Sequence, residues 1–398
     1  MPKARIVISG MGIYSSLSKG VTANHAALRS NIHGLGDITI LKTRHSGHLP
    51  AGEIKATNEE LAAQTRFDQT SMIPRSVLLS IPAIEEALAS AVIAPDDTVS
   101  FYYATTVGGI DISEELILQR SQGKAIDYAG FRHHDCGAGT RLLADYFNFK
   151  GGLYTISTAC SSSANAIGRA CSDLRSGAAR YAVAGGADAL CRFTINGFNA
   201  LMILDKDLCT PIDENRQGLN LGEAAAYLVL ETEENAIRRG AEILAYVSGY
   251  GNTNDSYHQT ASSDDGTGAM LAIRAALDDA GLMPEQISYI NAHGTGTQNN
   301  DFSEGNAITT VFEKVPPVAS TKSFTGHTLA ASGSVEAVFS VLSILHQEVY
   351  PTLRFKTPVT GHRFKTFSRT YPTVVDHVLS NAFGFGGNCS ALIFSKRS

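Results

Sequence analysis

Cys160 stands where a strand-like run, Tyr154-Thr155-Ile156-Ser157-Thr158, gives way to a helical run of small residues from Ser161 to Gly168. A thiol at the start of a helix faces unpaired N–H groups and the positive end of the helix dipole. That placement favours thiolate and predicts a nucleophile. A buried structural cysteine is the competing reading of the same turn. Three further segments bear on the choice. Ile290-Asn291-Ala292-His293-Gly294-Thr295-Gly296-Thr297 puts a histidine at the end of a short apolar strand. Ser320-Thr321-Lys322-Ser323-Phe324-Thr325-Gly326-His327 supplies a lysine and a second histidine ahead of a helix. Asn381-Ala382-Phe383-Gly384-Phe385-Gly386-Gly387-Asn388 is a glycine-rich turn whose exposed N–H groups suit an oxyanion. Singly, these are a hydrogen-bonded histidine, a surface lysine and a tight hairpin. Together they are a nucleophile, two imidazoles, a cation and an oxyanion turn, all at strand ends. That set suits acyl transfer through a thioester followed by carbanion chemistry.

The elements that must position these groups are written twice, so the pattern predicts a duplicated unit. Arg5-Ile6-Val7-Ile8-Ser9-Gly10 and Glu242-Ile243-Leu244-Ala245-Tyr246-Val247-Ser248-Gly249 both read as opening strands. Each half later carries a strand that feeds a helix, at Cys160 and at Lys322–His327. Two βα-rich halves follow, residues 1–235 with the cysteine and 236–398 with the histidines and lysine, joined near Glu231–Gly240. Between them helices and strands alternate: a helix over Ser76–Ala91 kinked at Pro82, strands over Tyr181–Asp188 and Ala224–Glu231, and helices over Ala269–Ala280 and Leu329–Leu345. Alternation of this kind predicts an α/β fold with parallel sheets covered by helices. The helix after Cys160 is mainly Ala, Ser, Gly and Ile, so it belongs in the interior between two sheets.

The bulk composition is that of a compact globular chain. Of 398 residues, 43% are hydrophobic and 18% charged, enough for a large core. A net charge of −6 gives no reason to expect nucleic acid or an anionic membrane as partner. The start turns to glycine too early for a signal peptide, and no uninterrupted run of eighteen apolar residues occurs. The 6 cysteines lack short paired spacings, so neither disulfides nor a cysteine zinc site is expected, and a reducing cytoplasm is the default. His133-His134-Asp135-Cys136 reads as polar surface, because adjacent ligands on one loop seldom close a tetrahedral shell.

With these motifs in place, the chain resembles the β-ketoacyl-acyl-carrier-protein synthases of the elongating, decarboxylating branch, within the thiolase-fold superfamily. The resemblance runs from Val7 to Phe394. Its most specific parts are Thr158-Ala159-Cys160-Ser161, Asn291 to Thr297, Lys322 with Gly326-His327, and Asn381 to Gly387. It implies a thiolase-like α/β fold whose duplicated halves form a layered α-β-α-β-α sandwich. It implies that Cys160 takes an acyl chain from a carrier's phosphopantetheine, with the N–H groups of Cys160 and Phe385 holding the thioester oxygen. His293 and His327, both neutral, would stabilise the enolate left when malonyl-carrier loses CO₂. Lys322 would order the site, with Glu336, Asp301 and Glu304 behind the reacting groups and Glu223 also at a family acidic position. Thr260, Thr295 and Thr297 are the candidates for the pantetheine arm, and Phe385 doubles as a gate. No cofactor or metal is implied, since the substrates arrive on the carrier protein. The resemblance also implies a dimer paired along a sheet edge, either a homodimer or the catalytic half of a ketosynthase/chain-length-factor heterodimer. It places Val107, Ile110 and Ile112 near the acyl tunnel.

The chain departs from the family pattern in several places. Asn300 precedes Asp301, His258–Ser263 lacks the customary methionine and proline, Leu204–Pro211 is short, and Asn388-Cys389 follows Gly387. The basic patch for an acidic carrier looks thin: Arg66 is kept, Met202 stands at an often basic position, and Lys124, Arg132 and Lys206 are the substitutes. These features point to a dedicated carrier in an accessory pathway such as polyene or polyketide synthesis. Cys389 invites comparison with the second cysteine of thiolases, the nearest rival enzymes, but those lack the two-histidine, one-lysine set.

Overall fold

The computed structural model describes residues 3–68, 72–94 and 97–397. Twelve strands are present among them: β1 (Ile6–Ser15), β2 (Val99–Ala104), β3 (Leu153–Ile156), β4 (Tyr181–Asp188), β5 (Ala224–Thr232), β6 (Ala245–Asn254), β7 (Tyr289–Asn291), β8 (Val318–Ala319), β9 (Glu348–Val349), β10 (Tyr371–Pro372), β11 (His377–Gly384) and β12 (Asn388–Ser395). β9 and β10 pair only with each other. The other ten form one sheet in the order β3-β2-β4-β5-β1-β6-β12-β11-β7-β8.

That order contains a repeat. Counted outward from the centre, the N-terminal strands run β1-β5-β4-β2-β3 and the C-terminal strands run β6-β12-β11-β7-β8. Both series place the first strand innermost, then the last, the next to last, the second and the third. The pairing sense repeats as well: two antiparallel contacts and then two parallel ones on each side. A short helix, Glu233–Arg239, connects β5 to β6.

The two halves meet through β1 and β6, paired antiparallel at Ile6–Val247, Val7–Tyr246 and Ile8–Ala245. Hydrogen bonding therefore makes one bent sheet where the sequence predicts two. The layering is nonetheless five deep. Helix Arg75–Ala91 packs on β1, β5 and β4, and helix Thr267–Ala280 packs on β6, β12 and β11. Between the sheet halves lie helix Ser162–Ser176 and helix Ser332–His346, each touching strands of both. Pro82 sits inside the first of these outer helices, which continues through it as one element.

Small residues set the distance between the two central helices. A Cβ on Gly333 would lie 2.8 Å from the backbone nitrogen of Ala164, so the helices cross nearly backbone to backbone. Across the same crossing the N–H of Ser334 donates to Ser163 Oγ at 2.9 Å. Leu329–His346 is long and apolar enough to span a membrane by composition, but 89% of it is buried inside the protein. Its apolar character is that of a central core helix. Both central helices begin at the same end of the molecule, one just after Cys160 and the other just after His327.

Candidate active site

β3 ends at Ile156, the chain turns, and the central helix begins at Ser162. Ala159 has φ +52°, the left-handed region that costs a side-chain-bearing residue about 1 kcal/mol. The strained turn presents Cys160 at the helix entrance, and its hydrogen bonds hold it there. The N–H of Thr158 donates to Ser162 Oγ at 2.8 Å, and Asn165 Nδ2 donates to Thr158 Oγ1 at 2.9 Å. The carbonyl oxygen of the Asn388 side chain accepts from Ser161 at 2.6 Å, Asn165 at 2.9 Å and Asn252 at 3.0 Å. Asn388, a departure from the family pattern, thus ties the β11–β12 turn to the cysteine elbow.

The same turn has no room for a side chain at Gly384. A Cβ there would lie 2.9 Å from the Thr158 carbonyl oxygen and 3.1 Å from the Cys160 nitrogen. Phe385 follows, and its N–H, with that of Cys160 itself, faces the sulfur and favours negative charge on it. These are the two donors expected for an oxyanion.

The thiol departs from expectation. Helix-start placement predicts a lowered pKa, yet burial pushes the Cys160 thiol up to about 12. Lys322 and the two N–H groups pull it down, and Asp188 pushes it further up. Sequence shows the helix start but not how little water reaches the sulfur, and desolvation outweighs the dipole.

His293 and His327 are both buried, with ring centroids 5.3 Å apart and ring planes at 85°. Their hydrogen bonds settle which nitrogen is free. Leu329 N–H donates to Nδ1 of His327 at 3.2 Å, with Ser332 Oγ at 2.9 Å from the same atom. Lys322 Nζ lies 3.2 Å from Nδ1 of His293 and donates to the His293 carbonyl oxygen at 2.6 Å. With Nδ1 accepting, each neutral ring carries its proton on Nε2 and offers it as a donor. Burial and the Lys322 charge hold both imidazoles well below their ordinary pKa, and His327 adds to the effect at His293. Both rings are therefore neutral at physiological pH.

The third contact of Lys322 is an ion pair with Glu336, both side chains being buried. Burial raises the pKa of Glu336, and Lys322 pulls it back. Glu304 accepts from the N–H groups of His293 and Gly294 at 2.8 Å each and from Asn381 Nδ2 at 2.9 Å. Asp301 accepts from Thr295 N–H at 2.9 Å, Ile212 N–H at 2.7 Å and the side chain of Asn300 at 3.0 Å. Both carboxylates thus fix the loop that carries His293. Glu223 lies further off, where it pairs with Arg75 and accepts from Ile54 N–H at 2.9 Å and Leu190 N–H at 3.0 Å.

A cavity of about 380 Å³ gathers the predicted reacting groups: Cys160, His293, His327, Phe385, Thr260, Thr295 and Thr297 all line it. Thr295 and Thr297 are 2.8 Å apart through their hydroxyls. Phe385 stacks on Phe198, ring centroids 5.8 Å apart, beside Met202 at the rim. Lys322, Glu336, Asp301 and Glu304 stand behind the wall.

Other expected positions fall elsewhere. Val107 and Ile110 pack in an apolar cluster with Leu190, Leu219 and Leu329, whereas Ile112 faces a separate acid-lined cleft. Cys389 is buried opposite Phe383 in the strand register and does not line the cavity. Among the described residues no group of three metal-ligating side chains converges. His134 instead lies 2.9 Å from Ser113 Oγ, and Asp135 caps helix Cys136–Phe147. Arg66 lies over the Tyr146 ring at 4.2 Å and donates to the Tyr146 carbonyl. In the sequence Asp188 reads only as a strand end, although its carboxylate ties together two segments beside the site. No motif distinguished it from other acidic residues at strand ends.

Comparison with known proteins agrees with the geometry. Residues 3–236 match the family model for the beta-ketoacyl synthase N-terminal domain, and residues 244–356 match that for the C-terminal domain. The chain is 33% identical over 417 residues to 3-oxoacyl-[acyl-carrier-protein] synthase 2 of Staphylococcus aureus, covering 98% of each. It is 31% identical to the protein of the same name from Vibrio cholerae, covering 100% of both. Among solved structures, the ishigamide ketosynthase/chain length factor superposes with a TM-score of 0.94 at 31% identity over 100% of both chains. The structure of a type II PKS acyl-carrier protein in complex with its ketosynthase superposes at 0.89 and 26% identity, covering 99% of this chain and 100% of that chain. With both halves matched and the Cys-His-His site assembled in one cavity, this chain belongs to the β-ketoacyl synthase family of acyl-transferring enzymes.

Proposed function

We propose that the chain is a β-ketoacyl-acyl-carrier-protein synthase, extending a fatty or polyketide chain by decarboxylative condensation. The observation that carries this reading is the pair of neutral imidazoles whose Nε2–H donors face the cavity that holds Cys160. In the first half-reaction the Cys160 sulfur attacks the acyl thioester of a carrier's pantetheine. A new carbon–sulfur bond forms at Cys160, the old one breaks, and the thiol proton leaves with the pantetheine sulfur. The N–H groups of Cys160 and Phe385 hold the oxyanion. A dry pocket that disfavours thiolate suits the neutral thioester formed there.

In the second half-reaction malonyl-carrier loses CO₂, and the electron pair of the broken bond becomes an enolate. Two neutral donors stabilise the enolate oxygen without adding a like charge. The enolate carbon attacks the acyl carbonyl, the bond to Cys160 breaks, and the departing thiolate takes up one proton from solvent. Lys322, held by Glu336, fixes the tautomer of His293. Thr260, Thr295 and Thr297 would hold the pantetheine arm, and rotation of Phe385 off Phe198 would open the acyl side. The chemistry needs no cofactor beyond the carrier's own arm. Six free cysteines suit a reducing cytoplasm, where we place the enzyme.

A second reading, the catalytic half of a ketosynthase/chain-length-factor heterodimer, has its own support. β3 is an edge strand with Leu153 exposed, and it leads directly into the nucleophile turn. An unpaired edge at that place suits a partner chain, and the ishigamide superposition points to the same kind of assembly. Purification with and without a co-expressed chain-length-factor candidate, with mass determined by light scattering, separates the two readings. For the reaction itself, intact-mass analysis should show a Cys160 acyl adduct from acyl-carrier, discharged only when malonyl-carrier is added. An adduct that persists with malonyl-carrier present would defeat the proposal.

A further inference from the structure

Asp188, at the end of β4, is fully buried, and every donor to its carboxylate is a neutral group. Thr105 and Thr106 donate through their hydroxyls, each at 2.5 Å, and the N–H groups of Thr106 and Val107 donate at 3.0 and 3.1 Å. The fifth donor comes from another part of the chain: Ala330 N–H, at 2.9 Å. Burial raises the pKa of this carboxyl, and the five hydrogen bonds pull it back. Two helices, Ile110–Ser121 and Ser332–His346, start a few residues beyond these donors, so their positive ends face the charge.

The two segments tied together here both border the site. Val107 belongs to the apolar cluster beside Phe198 and Leu219, both of which line the cavity. Ala330 follows Leu329, whose N–H donates to Nδ1 of His327 and so sets the tautomer of that ring. Leu329 holds φ +52°, a left-handed conformation that a leucine keeps only under outside restraint. The adjacent Ala330–Asp188 bond is such a restraint.

We propose that Asp188 is a positioning residue: its five hydrogen bonds anchor the turn that orients His327. Its charge also bears on Cys160. Lys322 lowers the thiol pKa and Asp188 raises it, while His293 and His327 are neutral. Removal of the charge should therefore make the thiol more reactive and the condensation step slower. Loss of structure alone would also expose the thiol and speed its alkylation, so the charge-retaining variant is needed to separate the two.

The test is Asp188→Asn, with Asp188→Glu as its charge-retaining partner. Alkylation of Cys160 by iodoacetamide at pH 8, followed by intact mass, reads the thiol without reference to any substrate. It should accelerate about three- to tenfold in Asp188→Asn and stay near wild type in Asp188→Glu. Discharge of a preformed octanoyl-Cys160 adduct by malonyl-carrier should slow about 10- to 100-fold in both, because the anchor is lost or displaced. If Asp188→Asn does not fold, Thr106→Val removes one donor and keeps the charge; discharge should then slow severalfold while alkylation does not accelerate. Unchanged or slower alkylation in a folded Asp188→Asn overturns the charge effect. Wild-type discharge rates in both Asp188 variants, or in Thr106→Val where Asp188→Asn does not fold, overturn the anchor. The condensation arm rests on the ketosynthase reading and the alkylation arm does not. A wild-type protein that fails to discharge the adduct sinks that reading, while alkylation still decides the charge effect.

Discussion

Lys322 touches His293 twice, with Nζ 2.6 Å from its carbonyl oxygen and 3.2 Å from its Nδ1. One ammonium thereby fixes both the backbone and the tautomer of a ring that would otherwise be free to carry its proton on either nitrogen. Its remaining donor goes to Glu336, so removal of Lys322 strands a buried carboxylate. Lys322→Met should destabilise the protein by about 3–5 kcal/mol, a typical value when one member of a buried pair is removed. The double variant Lys322→Met/Glu336→Leu should recover much of that stability by thermal melting, yet still fail to condense. Recovery of condensation in the double variant would show that Lys322 serves the fold alone.

His293→Ala should leave formation of the acyl-Cys160 adduct near wild type and slow its malonyl-dependent discharge by ~10²–10³. Cys160→Ala should show no adduct at all. Single-turnover intact mass distinguishes the two steps, and an equal loss in both for His293→Ala would remove the histidine from its donor role.

The thiol, pushed up to about 12, predicts a specific pH profile. Alkylation of Cys160 by iodoacetamide should be slower at pH 7 than that of a free cysteine and should rise roughly tenfold per pH unit to at least pH 10. A plateau below pH 9 would mean that the sulfur is far better solvated or paired than its surroundings imply.

Stability should weaken toward acid. In the unfolded chain both active-site imidazoles titrate near 6.5, and in the folded protein both lie well below that value. Between the two values the unfolded state binds more protons, so stability rises with pH. The contribution is complete above the unfolded value and is lost as pH falls through the window beneath it. Each unit of depression is worth about 1.4 kcal/mol per ring. Melting temperatures of the wild type should drop between pH 7 and 5, and the His293→Gln/His327→Gln variant should drop less.

Gly384→Ala tests the closeness of the oxyanion turn to the elbow. Its new methyl group would press on Thr158 and the Cys160 nitrogen, contacts tighter than proteins ordinarily allow. Acylation itself should fall by about tenfold or more through displacement of the Phe385 donor, a loss comparable to that of an oxyanion donor. His293→Ala, by contrast, spares that step.

Much of the architecture was legible in order along the chain. The paired opening strands at Ile6 and Ala245, and the strand-to-helix passages at Cys160 and His327, are local patterns of apolar period and glycine. Such patterns depend on neighbouring residues alone, and they survive in the repeated strand order. The joining of the halves through Ile6–Val247 and its neighbours was not legible, because pairing across some 240 residues leaves no local mark.

For the site, the sequence by itself determined the inventory: one cysteine, two histidines, one lysine and a glycine turn, each carried by a motif that chemistry requires. Only the tertiary structure decided their states. Burial reversed the expected direction of the Cys160 pKa, since desolvation depends on what packs over the sulfur and not on its neighbours in sequence. Leu329 and Lys322 set the tautomers of His327 and His293 through contacts in three dimensions. Asp188 gained its importance in the same way, from a bond to Ala330 that spans 142 residues of chain. Residue type is a local property, whereas protonation and orientation belong to the environment that folding builds around it.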